Sequence, residues 1–523
     1  MSERIRAAGA AVAAAALATL ILLSVRHYSG LAPFQPLALN VGMWPLFAVG
    51  AWLVLRVRAR RAVPLILLGG IAIQLAALAG PSLGSSDLYR YIWDGRVQAA
   101  GIDPYRYAPG ARHLASLRDQ YLWPSDGQYC VGYNGATSRL SQVKRPRPGR
   151  RPSALVPGCT RINLPSVHTI YPPVAEAYFT AVDEAAPAES GSLPIQAAGA
   201  LCAIATSFLL VTGLRRLGRD PRLAVLWAWC PVVGFQAGNG AHIDVLAAFL
   251  TVAALLTLAR PGGRLRTASG GLLLGLAIAT KITPILAGPA VLRRRPVTVI
   301  AAAAGATGVV YLPHVIAVGH RVIGFLPEYL TADGYTNGHR FQLLGLLVPG
   351  KWATLAALAV LASVALAVLR RADPDRPWQG ALVMTGAALA VATPSLLWYP
   401  MLLVALVALD GRAEWLALAA ARYFTPVHPL PDVHLPGAGP LGYGAAVLII
   451  FAGWLIRRRT WQAAAHDMAV PEVAVPEVTV PEVAVPEVAV PEGTVPGVAV
   501  PEVAASEVVA SEVSPAPRSA PVA

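Results

Sequence analysis

The chain is poor in charge. Only 13% of its 523 residues are Asp, Glu, Lys or Arg, against about 25% in soluble domains. With 55% hydrophobic residues and a mean hydropathy of +0.55, that scarcity excludes an ordinary soluble domain. Cysteine is scarce too, at four residues, so no dense disulfide framework holds the fold. Cys202 and Cys230 fall inside apolar runs and read as small core residues. Cys130 and Cys159 share one long polar segment, where a disulfide is expected if that segment leaves the reducing compartment. No nucleic-acid motif is visible. A cleavable signal is also missing: MSERIR is basic, but the run 7–25 is long enough to span, and it is expected to stay as an anchor.

What the chain has instead is apolar runs of membrane-spanning length from end to end, separated by arginine clusters. This predicts an all-α polytopic membrane protein, a bundle of about 12–14 transmembrane helices. The net charge of +14 hides a split, since residues 470–523 hold eight Glu and one Arg, leaving 41 basic and 20 acidic residues before them. Letting the Arg clusters face the cytoplasm sets the topology. Spans are expected near 7–26, 38–55, 62–80, 194–214, 223–237, 245–259, 297–316, 352–369, 379–396, 398–410, 413–424 and 440–456. Residues 267–292 are expected to form a short hairpin bending near Thr280–Pro284. Both termini then lie inside and the segment 81–193 outside. Within that segment Thr169–Phe179 reads as a helix lying at or dipping into the outer surface, since a span there would put the cluster Arg215, Arg216, Arg219 and Arg222 outside. Four regions follow: N-terminal helices 1–80, a large extracellular loop 81–193, a transmembrane bundle 194–459 and a cytoplasmic tail 460–523. The tail repeats V-P-E-V-A, and proline every fifth residue blocks helix, so a disordered, semi-extended tail is expected.

Polar chemistry crowds together in one stretch, Ser85-Ser86-Asp87-Leu88-Tyr89-Arg90-Tyr91-Ile92-Trp93-Asp94-Gly95-Arg96, running on to Gly101-Ile102-Asp103-Pro104-Tyr105. A group-transfer site on the outer face has no nucleotide-activated substrate, so the activated group arrives on lipid phosphate. Such chemistry needs a carboxylate base, cations for the phosphate, and aromatic or polar groups for a sugar. Asp87 stands where a base belongs, yet Ser85-Ser86-Asp87 is equally a helix N-cap run. Asp94, between Arg90 and Arg96, reads as an ion pair, and Asp103 as a turn residue. His242 and Asp244 sit at a second outer turn, as hydroxyl ligands or structural caps, and two residues at i, i+2 make no metal site. Lys281, at the hairpin bend, holds phosphate or snorkels. His168, Tyr171, His339 and Arg340 are weaker candidates. Trp398-Tyr399 reads as an interfacial belt rather than a sugar platform.

The run S-S-D-L-Y-R-Y-I-W-D-G-R-V-Q-A-A-G-I-D-P-Y-R-Y-A-P, followed by C-T-R-I-N-L-P-S-V-H-T-I-Y-P-P-V-A-E-A-Y-F, resembles the multi-span C-superfamily glycosyltransferases of actinobacteria. It is most similar to polyprenol-phosphate-mannose-dependent α-1,6-mannosyltransferases and related glycosyltransferase family 87 proteins. G-N-G-A-H-I-D-V-L-A, G-L-A-I-A-T-K-I-T-P and L-L-W-Y-P add to the likeness. The resemblance implies mannose transfer from a polyprenyl-phosphate donor to a glycan or glycolipid on the extracellular face, by an inverting single displacement, and no resident cofactor; metal dependence stays open. It makes Asp87 the base. Arg90, Arg96 and Lys281 are then expected to hold phosphate, and Tyr89, Tyr105, Tyr171 and His242, with Asp94 and Asp244, to line the substrate site. The Arg139–Arg151 insert and the tail depart from the pattern, and His242-Ile243-Asp244 stands where His-Asn-Asp is expected. A transporter or flippase of lipid-linked sugars is the alternative; it calls for ionisable residues mid-span in both halves, whereas the candidates gather on one side.

Overall fold

The computed structural model describes residues 2–27, 34–83, 85–123, 160–187, 190–421 and 438–467. The chain divides into two compact units, Met1–Trp461 and Gln462–Ala523, and the site lies in the first. Among the described residues the regular structure is helical, with no strand. The helices are α1 (Glu3–His27), α2 (Phe34–Val54), α3 (Ala59–Ala77), α4 (Asp87–Ala99), α5 (Pro173–Ala185), α6 (Leu193–Arg216), α7 (Val225–Ala228), α8 (Pro231–Val233) and α9 (Asp244–Leu258). They continue as α10 (Arg264–Ile278), α11 (Gly288–Val291), α12 (Pro296–Val318), α13 (Leu326–Ala332), α14 (Lys351–Arg371), α15 (Pro377–Ala392), α16 (Met401–Asp410), α17 (Ala417–Ala421) and α18 (Ala438–Asp467).

Among the described residues, six helical stretches are long and apolar enough to cross a membrane, or seven if the bent pair Pro231–Asn239 and Asp244–Leu258 counts as one. The hydropathy suggests about 12 spans in the whole chain. The other expected positions are helical but short or broken: α15 and α16 are 16 and 10 residues long, and 221–239 is a string of short helical turns. Proline at 221 and 231 and glycine at 234, 238 and 240 explain the breaks. These broken pieces are buried inside the protein, the one place where interrupted helix is tolerated at membrane depth. The whole apolar run Met401–Leu409 is buried as well. By contrast α12, α14 and α18 expose large side chains such as Val309, Ile316, Leu358 and Leu448, a surface suited to lipid.

Two amphipathic helices stand apart from the long ones. α4 buries Leu88, Arg90, Tyr91, Trp93, Asp94 and Val97, and α5 buries Ala175, Glu176 and Phe179. They press together at Gly95, where a Cβ would lie 2.5 Å from the Phe179 carbonyl oxygen. Tyr91 stacks on Phe179 with ring centroids 4.4 Å apart. α5 covers the place where a surface helix is expected around Thr169–Phe179, starting four residues later and running further. The expected Cys130–Cys159 disulfide, the Arg139–Arg151 insert, the His428–His434 loop and the V-P-E-V-A tail all lie outside the described residues.

Candidate active site

Asn239 sets the position of the stretch before α4. It closes the short helical run Gly234–Asn239, a wide turn of π geometry. Its side-chain amide donates to the carbonyls of Ala77 (3.1 Å) and Pro81 (2.8 Å), and its Oδ1 accepts from the Leu83 amide at 2.8 Å. Gln196 in turn donates to the Asn239 carbonyl. One buried side chain thus ties the end of α3 and the approach to α4 to the break between α8 and α9. Asp87, the first residue of α4, follows at once.

Asp87 is no helix cap. Ser86 holds the cap position with no side-chain hydrogen bond, and the Asp87 Oδ1 accepts from the Asn163 amide at 2.6 Å. The Ser85 hydroxyl accepts from the Asp87 backbone amide. Its other oxygen, Oδ2, faces the His242 Nδ1 at 3.8 Å. Burial lifts the Asp87 carboxyl above its ordinary range, while the Lys281 ammonium and the Asn163 hydrogen bond pull it back. The side chain stays 18% exposed, so a substrate can reach it.

Lys281 lies in the break between α10 and the 3-10 turn Thr283–Ala287, as the hairpin reading required. The carbonyl of Ala279, freed by the break, accepts the Val174 amide at the start of α5. The Lys281 Nζ is 2.6 Å from the Asp244 Oδ2 and 5.4 Å above the centre of the Tyr399 ring. Asp244 opens α9, two residues after His242. The His242 ring lies flat on Trp398, with centroids 3.8 Å apart and planes at 16°. Tyr399 continues to α13, its hydroxyl meeting that of Tyr329, and in the loop that follows Asp333 and Arg340 form an ion pair of 3.3 Å.

Asp87, His242, Asp244 and Lys281, four candidates from three separate parts of the sequence, thus share one site. Tyr171 joins them: its ring meets Tyr91 edge-on at 5.0 Å, and burial and the Asp87 charge push its phenol up. The others do not join. Arg90 and Asp94 form a buried ion pair at 2.8 Å, and the Arg90 Nη1 donates to the Val167 carbonyl, so Arg90 braces α4 rather than holding phosphate, and Asp94 is its counter-ion. Arg96 pairs with Asp119 at 2.6 Å beside a separate cavity of about 230 Å³, on the side of α4 away from Asp87. Tyr89 packs on Tyr121 below Arg161. Tyr105 is buried and donates its hydroxyl to the Tyr171 carbonyl at 2.6 Å, a structural bond. His168 and His339 are exposed.

Sequence reasoning missed Asn163, Glu176 and the pair Trp398–Tyr399. Asn163 stands in the quoted C-T-R-I-N-L-P motif, and that was its signal. Asp103 keeps its turn role, accepting from the Tyr105 amide, and also pairs with the His314 Nδ1 at 2.8 Å. A histidine beside Pro313 in an apolar helix was the signal for that contact.

The fold and the site define a multi-pass helical membrane protein with an acid–lysine–aromatic cluster at its broken helices. Residues 169–400 match the model of Glycosyltransferase family 87, a match that supports a membrane glycosyltransferase. The matched segment contains His242, Asp244, Lys281, Trp398 and Tyr399; Asp87 precedes it in sequence and meets it in space. No curated protein and no solved structure matches the chain.

Proposed function

We propose that the protein moves mannose from a polyprenyl-phosphate donor to a glycan or glycolipid acceptor on the extracellular face, with inversion at the anomeric carbon. Asp87 is the base. It takes the proton of an acceptor hydroxyl as that oxygen bonds to C1 of the sugar, and the C1–oxygen bond to phosphate breaks with its electron pair leaving on the phosphate. Polyprenyl phosphate departs as an anion and needs no general acid. Lys281, 19% exposed and held by Asp244, faces the place where that negative charge grows. Tyr171 and the Trp398–Tyr399 pair offer the aromatic faces a hexose packs against.

One observation supports this reading above the rest: His242 faces the partly exposed Asp87 carboxylate, and Asp244, two residues on, holds the partly exposed Lys281 ammonium, so acid and cation flank one site. Base and phosphate cation are the two charges the displacement requires. The test is purified protein given polyprenyl-phosphate mannose, glucose or arabinose in turn. The reading expects mannose to be consumed and an inverted glycoside to form. Movement of labelled lipid across a vesicle without glycoside formation overturns it.

A further inference from the structure

His242 poses a problem that sugar binding does not solve. Its side chain is fully buried, and neither ring nitrogen has a hydrogen-bond partner in the protein. A buried polar group left unpaired costs about 1–3 kcal/mol, and native structures rarely keep one without a use for it. Substrate cannot reach the ring. One face is covered by Trp398, and the Nε2 edge lies under Gly240, where a Cβ would stand 3.1 Å away. The backbone is held there under constraint: Ala241 sits in the left-handed region at φ 51°, and the His242 amide donates to the Gln236 carbonyl at 2.9 Å. This effort aims one atom, Nδ1, at the Asp87 Oδ2 across 3.8 Å. Lys281, Asp244, Tyr91 and Tyr171 are the other charged or titratable groups around that carboxylate.

We infer that His242 is a positioning residue for Asp87: when substrates fill the site, the carboxylate closes on the Nδ1–H and accepts a hydrogen bond of about 2.8 Å. Asn163 then holds one carboxylate oxygen and His242 steadies the other, leaving a fixed lone pair for the acceptor hydroxyl. The proton on Nδ1 stays where it is throughout, and stacking on Trp398 fixes the plane of the ring. This inference rests on the reading of Asp87 as base and adds a residue to it that never touches substrate.

The experiment compares His242→Phe, His242→Asn and His242→Gln with wild type, using polyprenyl-phosphate mannose and a short mannoside acceptor. Phenylalanine keeps the stack and deletes both nitrogens. The asparagine amide falls near Nδ1, and the glutamine amide near Nε2. The expected result is a fall in kcat of about 10- to 100-fold for His242→Phe, the size of a hydrogen bond to a charged group. KM for both substrates should stay within about twofold, because uniform binding is untouched. The acid limb of the kcat profile should move to higher pH, since losing a donor makes the carboxylate easier to protonate. His242→Asn should recover most of the rate and His242→Gln little, with thermal unfolding in detergent confirming that each variant is folded. Wild-type kcat in His242→Phe, a change confined to KM, or equal rescue by asparagine and glutamine overturns the inference. Were Asp87→Asn inactive while His242→Phe kept full activity, only this inference would fall. An active Asp87→Asn would remove the base assignment itself.

Discussion

Glu176 is the most enclosed carboxylate near the site, fully buried on α5. It accepts from the Thr169 hydroxyl at 2.7 Å and from the Gln98 amide at 3.2 Å, both neutral donors. Burial and then the nearby Asp94 charge push its carboxyl well above the ordinary range. The folded protein therefore holds a proton that the unfolded chain releases above about pH 4.3. Stability tied to that proton is present at low pH and lost as pH rises toward the folded value. Glu176→Gln, which keeps the shape, with its amide oxygen accepting from Gln98 and its NH2 donating to the Thr169 hydroxyl, should unfold at a higher temperature than wild type at pH 8. The gap should close near pH 4, and a gap that does not change with pH refutes the account. Legibility at this scale depended on context. Asp87, His242, Asp244 and Lys281 could be read because ionisable side chains beside apolar runs are costly unless used. Arg90 and Tyr105 looked equally promising in sequence, and only packing shows one in a buried ion pair and the other bonded to a carbonyl. Trp398–Tyr399 failed for the opposite reason: aromatics at the end of an apolar run look the same whether they meet headgroups or a buried histidine.

At the scale of elements, breaks matter more than helices. The turn after α8 and the break after α10 bring His242, Asp244 and Lys281 to the start of α4, and no straight span would do so. The break at Thr280–Pro284 was readable from its Pro and from the two Arg clusters that had to share a side. The splitting of 221–239 into short turns was not, because hydropathy averages over them. The loop after α12 closes the assembly through Gly324, at φ 58° and ψ −139°, a conformation almost confined to glycine. A Cβ there would lie 1.8 Å from the Thr169 carbonyl oxygen, on the strand of chain that leads into α5. Gly324→Ala should cost at least about 3 kcal/mol, from backbone strain and overpacking together. Thermal unfolding in detergent checks it, and an unchanged melting temperature would contradict the contact.

Across the whole molecule, apolar surface divides the helices by task. α12, α14 and α18 show large side chains outward, whereas α9, α16 and the broken pieces near the site are buried. Composition made the polytopic helical class plain, because low charge and recurrent apolar runs admit little else. Hydropathy does not separate full-length from broken helices, since a buried 10-residue helix such as α16 has the same hydropathy as half a span. On the proposed function, this scaffold holds Asp87 as the base for glycosyl transfer. Single-turnover transfer from polyprenyl-phosphate mannose by Asp87→Asn, beside wild type, tests it most directly. The expected rate loss is about 10²- to 10⁴-fold, the range for removing a general base, with the melting temperature unchanged. Transfer by Asp87→Asn within about tenfold of wild type would contradict it.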